Sequence, residues 1–177
     1  ALITIKSDGT IASVIRPDDP TWKLKKLVAR DEGRLVALPR HTFLLPGFVD
    51  LHIHAPQWLQ LGKALDVPLE VWLQQYTFPL EARYSDADFA RGVYADLVTS
   101  LLAHGTTTAL YFATIHAEAT RILAEICLEK GQRALVGKVV MDEPDQCPVY
   151  YRDTSAEIAL EETRSFIEFV RSIPGNA

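Results

Sequence analysis

Basic charge, cysteine and long apolar runs are what this chain has little of, and each shortage closes off a class of function. Eighteen Lys and Arg stand against 23 Asp and Glu, for a net charge of −5, and no cluster of basic residues occurs. A surface of that sign repels nucleic acid and anionic lipid, so neither a nucleic acid nor a membrane is expected as a partner. Small molecules are the expected partners. The two cysteines, Cys127 and Cys147, are too few and too far apart for a disulfide framework, and no Cys-x-x-Cys pair is present. A reduced, cytoplasmic setting is the expectation. No apolar run approaches the roughly 20 residues that a membrane-spanning helix needs. The amino terminus lacks a charged-then-apolar targeting pattern, and it begins at Ala1 rather than Met, which suggests that an amino-terminal portion is missing. What the chain does have is 48% hydrophobic residues in 177, enough for one sizeable core.

The stretch with most chemistry is Leu45-Pro46-Gly47-Phe48-Val49-Asp50-Leu51-His52-Ile53-His54-Ala55. If Phe48 to Ile53 is a strand, alternation sends Asp50, His52 and His54 to one face and Val49, Leu51 and Ile53 to the other. Two imidazoles then converge. Neutral imidazole is the commonest metal ligand, so the pair offers two adjacent corners of a zinc site. A bare His-x-His is equally at home as two solvated histidines at a strand end; the context decides. Pro46-Gly47 gives a sharp entry, the apolar run suits a buried strand, and Ala55-Pro56 ends it, which places the histidines at its carboxyl end.

The rest of the chain alternates strand and helix after a short β-rich beginning. Residues 2 to 6 and 11 to 15 are β-rich runs joined by Asp8-Gly9, a hairpin signal. Trp22 to Arg30 has weak helical spacing, and Arg34 to Leu38 and Thr42 to Leu45 read as two further short strands. Residues 57 to 85 read as a long connection holding a short helix, Leu69 to Tyr76, stopped by Phe78-Pro79; its Trp58, Trp72, Tyr76 and Phe78 read as packing. Long connections at the carboxyl ends of parallel strands are where active sites are built. Ser85 or Asp86 caps a helix with apolar Phe89, Val93, Leu97 and Leu101 that Gly105 closes. Thr107 to Ala113 is a strand, Ala117 to Lys130 a helix, Ala134 to Met141 a strand and Ser155 to Ile173 a helix. Three such units with short returns imply a parallel sheet with right-handed crossovers.

In its Pro-Gly-Phe-Val-Asp-x-His-x-His motif the chain resembles the amidohydrolase superfamily. His-Ile-His-Ala-Pro-Gln (52 to 57), Pro68-Leu69-Glu70-Val71-Trp72-Leu73, Tyr76-Thr77-Phe78-Pro79, Gly105-Thr106-Thr107-Thr108, Tyr111 to His116, Gly131 to Val139 and Met141-Asp142 are similar to the guanine deaminase family within it. The resemblance implies an α/β fold: the first three β/α units of a (β/α)8 TIM-type barrel, residues 46 to 177, beside part of a small flanking β-sandwich, residues 1 to 45. A complete barrel takes about 250 residues, so the chain would be an amino-terminal fragment. The resemblance further implies one zinc ion held in part by His52 and His54, guanine as the purine substrate, and hydrolysis to xanthine and ammonia. His54, Ala55, Pro56 and Gln57 are the implied substrate contacts. The remaining metal ligands and the proton-carrying Glu would lie outside this chain, which alone is then inactive, and a homodimer of the full-length enzyme stays open. Two alternatives remain: an amidohydrolase acting on another aminated heterocycle, and a non-catalytic truncated fragment that serves as an interaction module.

Several residues have plainer readings. Asp50 reads either as a structural carboxylate or as a partner to an imidazole. His116-Ala117-Glu118 matches the zinc motif of cytidine deaminases, but the Pro-Cys-x-x-Cys that must follow is absent, so His116 is expected to cap a helix. Asp142 ends the third strand, as a turn former or a distant polar lining. His104 belongs to a last helical turn and His41 to a strand edge.

Overall fold

The computed structural model describes residues 1–175 of the 177, so the last two residues of the unit expected over 46 to 177 lie outside the described residues. The chain divides into two compact units, Ala1–Leu45 and Pro46–Ala177.

In the first unit, β1 (Leu2–Ile5) and β2 (Ile11–Ile15) pair antiparallel, as the Asp-Gly signal predicts. The Asp8 carboxylate accepts from the Thr10 backbone N–H at 2.9 Å, and Gly9 sits at φ +83°, a conformation that glycine adopts without strain. Helix α1 follows (Trp22–Asp31). The two further strands predicted at 34 to 38 and 42 to 45 do not form: these residues carry no ladder, and Val36 and Phe43 are 83% and 77% exposed. A β-prone run without a partner has nowhere to place its backbone hydrogen bonds. His41 accordingly lies in a turn at φ +66°, not at a strand edge.

The second unit is built on a parallel three-stranded sheet in the order β3 (Phe48–His54), β4 (Thr106–Phe112), β5 (Arg133–Gly137). Gly47 leads into β3 because a Cβ there would fall 2.0 Å from Thr107 Oγ1. Helices α4 (Ala87–Ala103) and α5 (Ala117–Lys130) pack on one side of the sheet: Tyr94, Leu97 and Val98 of α4 and Ile122, Leu123 and Ile126 of α5 form one core with Ala109, Tyr111 and Ala113. Asp86 is the N-cap of α4, accepting from the N–H groups of Asp88 and Phe89. Gly131 ends α5 at φ +73°, as its position predicts. Helix α6 (Ala156–Ser172) is capped by Ser155. The third strand is shorter than predicted, since β5 leaves the ladder at Gly137 and Asp142 lies exposed in the loop beyond.

The connection after β3 is not an open loop. A 3-10 turn (Ala55–Gln60) leads to α2 (Leu69–Trp72), a π-helical turn (Leu73–Thr77) and α3 (Phe78–Ala82). Pro79, predicted to stop a helix, stands instead in the first turn of α3. Proline lacks an N–H and collides with the preceding turn, and the wider π turn just before it is the kind of irregularity that accommodates both.

Candidate functional site

The register of β3 against β4 breaks between Asp50, opposite Ala109, and Ile53, opposite Tyr111. An extra residue in β3 takes the His52 N–H out of the ladder, and the Asp50 carboxylate accepts it at 3.0 Å. Asp50 therefore serves its own strand's backbone, not an imidazole. Strict alternation does not run through the break, and grouping Asp50 with the histidines by parity is unsafe.

Past the break His52 and His54 come together as predicted. Their ring centroids are 5.1 Å apart at a 57° tilt. Phe112, opposite His54 on β4, braces both: its ring lies 4.9 Å from that of His52 and stacks on His54 at 5.0 Å. Both histidines remain exposed. Partial loss of ring hydration against Phe112 and the sheet first, and the neighbouring His52 second, lower the His54 pKa, which keeps a nitrogen lone pair available for a ligand role. Two imidazole nitrogens are the donor type that zinc takes and would fill two corners of a tetrahedron. Among the described residues no group of three or more His, Cys, Asp or Glu side chains is arranged to hold a metal, so the pair fits a metal as half a donor set.

The 3-10 turn beside the histidines is held by side chains from the helices that follow it. Tyr84 O–H donates to the Pro56 carbonyl at 2.9 Å, Gln60 Nε2 to Thr77 Oγ1 at 2.9 Å, and Gln57 Nε2 to Glu81 Oε1 at 3.1 Å. The second Glu81 oxygen accepts from Tyr151 O–H at 2.7 Å. Glu81 is 6% exposed and Tyr151 fully buried. Burial raises the Glu81 pKa against the opposing effect of these two hydrogen bonds. Of the predicted substrate contacts, Ala55 is fully buried and the carbonyl of Pro56 is engaged by Tyr84, so Gln57 and His54 are the two with polar capacity to spare.

Glu81 and Tyr151 were not singled out from the sequence, and neither was the buried cluster after β5. There Lys138 Nζ, its side chain wholly buried, meets Asp153 at 3.1 Å and Glu162 at 3.3 Å. Asp153 also accepts from the Met141 N–H at 2.7 Å. Of the four aromatics predicted to pack, Phe78 packs on Tyr151 and Trp58 against the core of the sheet, with Trp58 Nε1 donating to Asp96 and Trp72 Nε1 to the Lys63 carbonyl, whereas Tyr76 is 39% exposed. His116 occupies the N-cap of α5, but its side chain makes no cap bond; its ring lies 5.9 Å from that of Tyr151. His104 Nδ1 is 2.7 Å from the Ser100 carbonyl at the end of α4. A hollow of about 470 Å³ is lined in part by His116, Arg152, Asp153 and Glu162; His52 and His54 do not line it.

Comparison with known proteins gives the chain its family. The amidohydrolase family model matches residues 43–176. Guanine deaminase of Dictyostelium discoideum is 41% identical over 95% of this chain and 38% of its own, and guanine deaminase of Mus musculus is 49% identical over 73% of this chain and 28% of its own. The crystal structure of guanine deaminase from C. acetobutylicum, with guanine bound in its active site, superposes with a TM-score of 0.81 at 34% identity, covering 96% of this chain and 38% of that one. This chain thus spans less than two fifths of the length of these relatives. A histidine pair at the end of a parallel strand and a family match over most of the residues lead to one conclusion: the chain belongs to the amidohydrolase family.

Proposed function

We propose that the chain is the amino-terminal part of a zinc-dependent guanine deaminase, with residues 46 to 177 supplying the first three β/α units of its barrel and residues 1 to 45 part of a flanking β layer. The observation that carries this reading is the convergence of His52 and His54 beside the turn that presents Gln57. The solved relative that contains guanine supports the choice of substrate. In this reading His52 and His54 hold the zinc. When bound, zinc supplies Lewis acidity and lowers the pKa of its water to about 7.

The chain's own residues do the orienting. Phe112 fixes both rings, so the two nitrogens do not have to be ordered when the ligand arrives. The carboxamide of Gln57 has an oxygen and a second N–H to offer the lactam edge of guanine, which presents one donor and one acceptor. The protons of the reaction are handled by a group outside this chain.

Steady-state deamination by the full-length protein tests the reading, with guanine set against adenosine, cytosine and aminated triazines. Guanine is expected to have the highest kcat/KM. If guanine is the poorest of the panel, the substrate assignment fails and another aminated heterocycle takes its place. If the full-length protein deaminates none of them and binds no zinc, the non-catalytic reading takes over.

A further inference from the structure

Glu81 is a buried carboxylate with no cation beside it among the described residues. Such a group is expensive: an ion in the interior is tolerated when it is paired or fully hydrogen-bonded, and a glutamine of the same shape would avoid the expense. What its two oxygens do is specific. One takes the phenol O–H of Tyr151, which is itself immobile in the core; the other takes an N–H of Gln57. A carboxylate only accepts hydrogen bonds, so the nitrogen of Gln57, not its oxygen, must face Glu81.

A primary carboxamide has two N–H bonds, one pointing away from its carbonyl and one beside it. If the first is given to Glu81, the oxygen and the second N–H remain side by side as an acceptor–donor edge, the complement of a lactam. The side-chain hydrogen bond of Gln57 among the described residues is made through Nε2, which leaves Oε1 for a ligand. The turn that carries Gln57 is pinned at Pro56 and Gln60 as well, which holds the carboxamide within reach of Glu81. We propose that Glu81 is a positioning residue that locks the Gln57 carboxamide in the orientation that reads a lactam edge, and so sets selectivity for oxopurines. The proposal rests on the guanine deaminase reading above.

The test measures competitive inhibition of guanine turnover by hypoxanthine, which has the lactam, and by unsubstituted purine, which lacks it. The full-length protein is used as wild type, Glu81→Gln, Gln57→Ala and the double variant. A glutamine at 81 can donate as well as accept, so it no longer dictates the orientation of Gln57. The preference for hypoxanthine is expected to narrow about tenfold in Glu81→Gln, equivalent to about 1.4 kcal/mol. KM for guanine should rise with kcat changed less. In the Gln57→Ala background, Glu81→Gln should narrow the preference no further, because the group it positions is gone. Glu81→Asp keeps the charge but withdraws it by one methylene; it should narrow the preference too, and it serves if the amide variant does not fold. An unchanged preference in Glu81→Gln or Glu81→Asp, or the same narrowing with and without the Gln57 carboxamide, overturns the proposal. A wild-type protein that turns over no guanine overturns the underlying reading instead.

Discussion

Two buried carboxylates support the carboxyl ends of the sheet, and they are satisfied in opposite ways. After β5, Asp153 meets the buried ammonium of Lys138, and a second carboxylate, Glu162, shares the same charge. After β3, Glu81 has only a phenol and an amide. The first arrangement gives its buried carboxylate a cation and engages both oxygens of Asp153, as a purely structural clamp requires. The second leaves a charge uncompensated and directs one of its bonds at the residue predicted to touch substrate. Compensation identifies the scaffold, and its absence points toward the site.

The largest expected effect breaks the compensated side. Asp153→Ala removes the buried partner of the Lys138 ammonium and leaves it only the part-exposed Glu162 carboxylate and the Val139 carbonyl; it should lower unfolding stability by about 3 kcal/mol, measured by chemical denaturation. Replacing Lys138 and Asp153 together with Met and Leu should cost less than this, because no wholly buried charge is left behind and the remaining Glu162 side chain is 41% exposed to water. A double variant as unstable as Asp153→Ala would mean that packing, not charge balance, is what the cluster supplies.

Tyr151→Phe comes next. It removes the O–H donor from the Glu81 carboxylate and should cost about 2 kcal/mol at neutral pH, in the range for hydrogen bonds to charged groups. The loss should shrink on acidification, as protonated Glu81 depends less on the donor.

Glu81 itself gives a smaller and pH-dependent effect. Its pKa is raised in the folded protein, so the folded state binds the proton more tightly than the unfolded chain. The stability this group contributes is complete below its unfolded value of 4.5 and is lost as pH rises through the folded value. Relative to wild type, Glu81→Gln should therefore gain stability as pH is raised above about 4.5 and level off once Glu81 is ionised, followed by thermal melts across the pH range. A difference that is flat with pH, or one that falls, would show that Glu81 is already compensated. The smallest effect is the control: the exposed pair Arg91–Glu125, at 3.2 Å, should contribute less than about 1 kcal/mol in a double-mutant cycle, separating burial from mere pairing.

Much of the second unit could be read from residues alone because its signals are local. The span of α5 from Ala117 to Lys130 follows from helical spacing and a glycine stop, and the capping of α4 from Asp86. The histidine pair was legible for the same reason, since two residues on one strand meet whatever surrounds them. Where partners were needed, local reading failed. The runs at 34 to 38 and 42 to 45 have the composition of strands but no ladder to join, and Pro79 begins α3 because a π turn precedes it. The Asp50 carboxylate was displaced by a register break that no single strand encodes. Glu81 was invisible for the plainest reason. Its partners lie 24 and 70 residues away, and a lone glutamate in a short helix has no pattern to betray it.

The central claim is that His52 and His54 share one metal ion. Anomalous scattering at the zinc edge, on crystals of the full-length protein, tests it directly. The account predicts a zinc peak at about 2.0–2.1 Å from one nitrogen of each ring. A zinc peak elsewhere in the protein, with both imidazoles coordinating nothing, would contradict it.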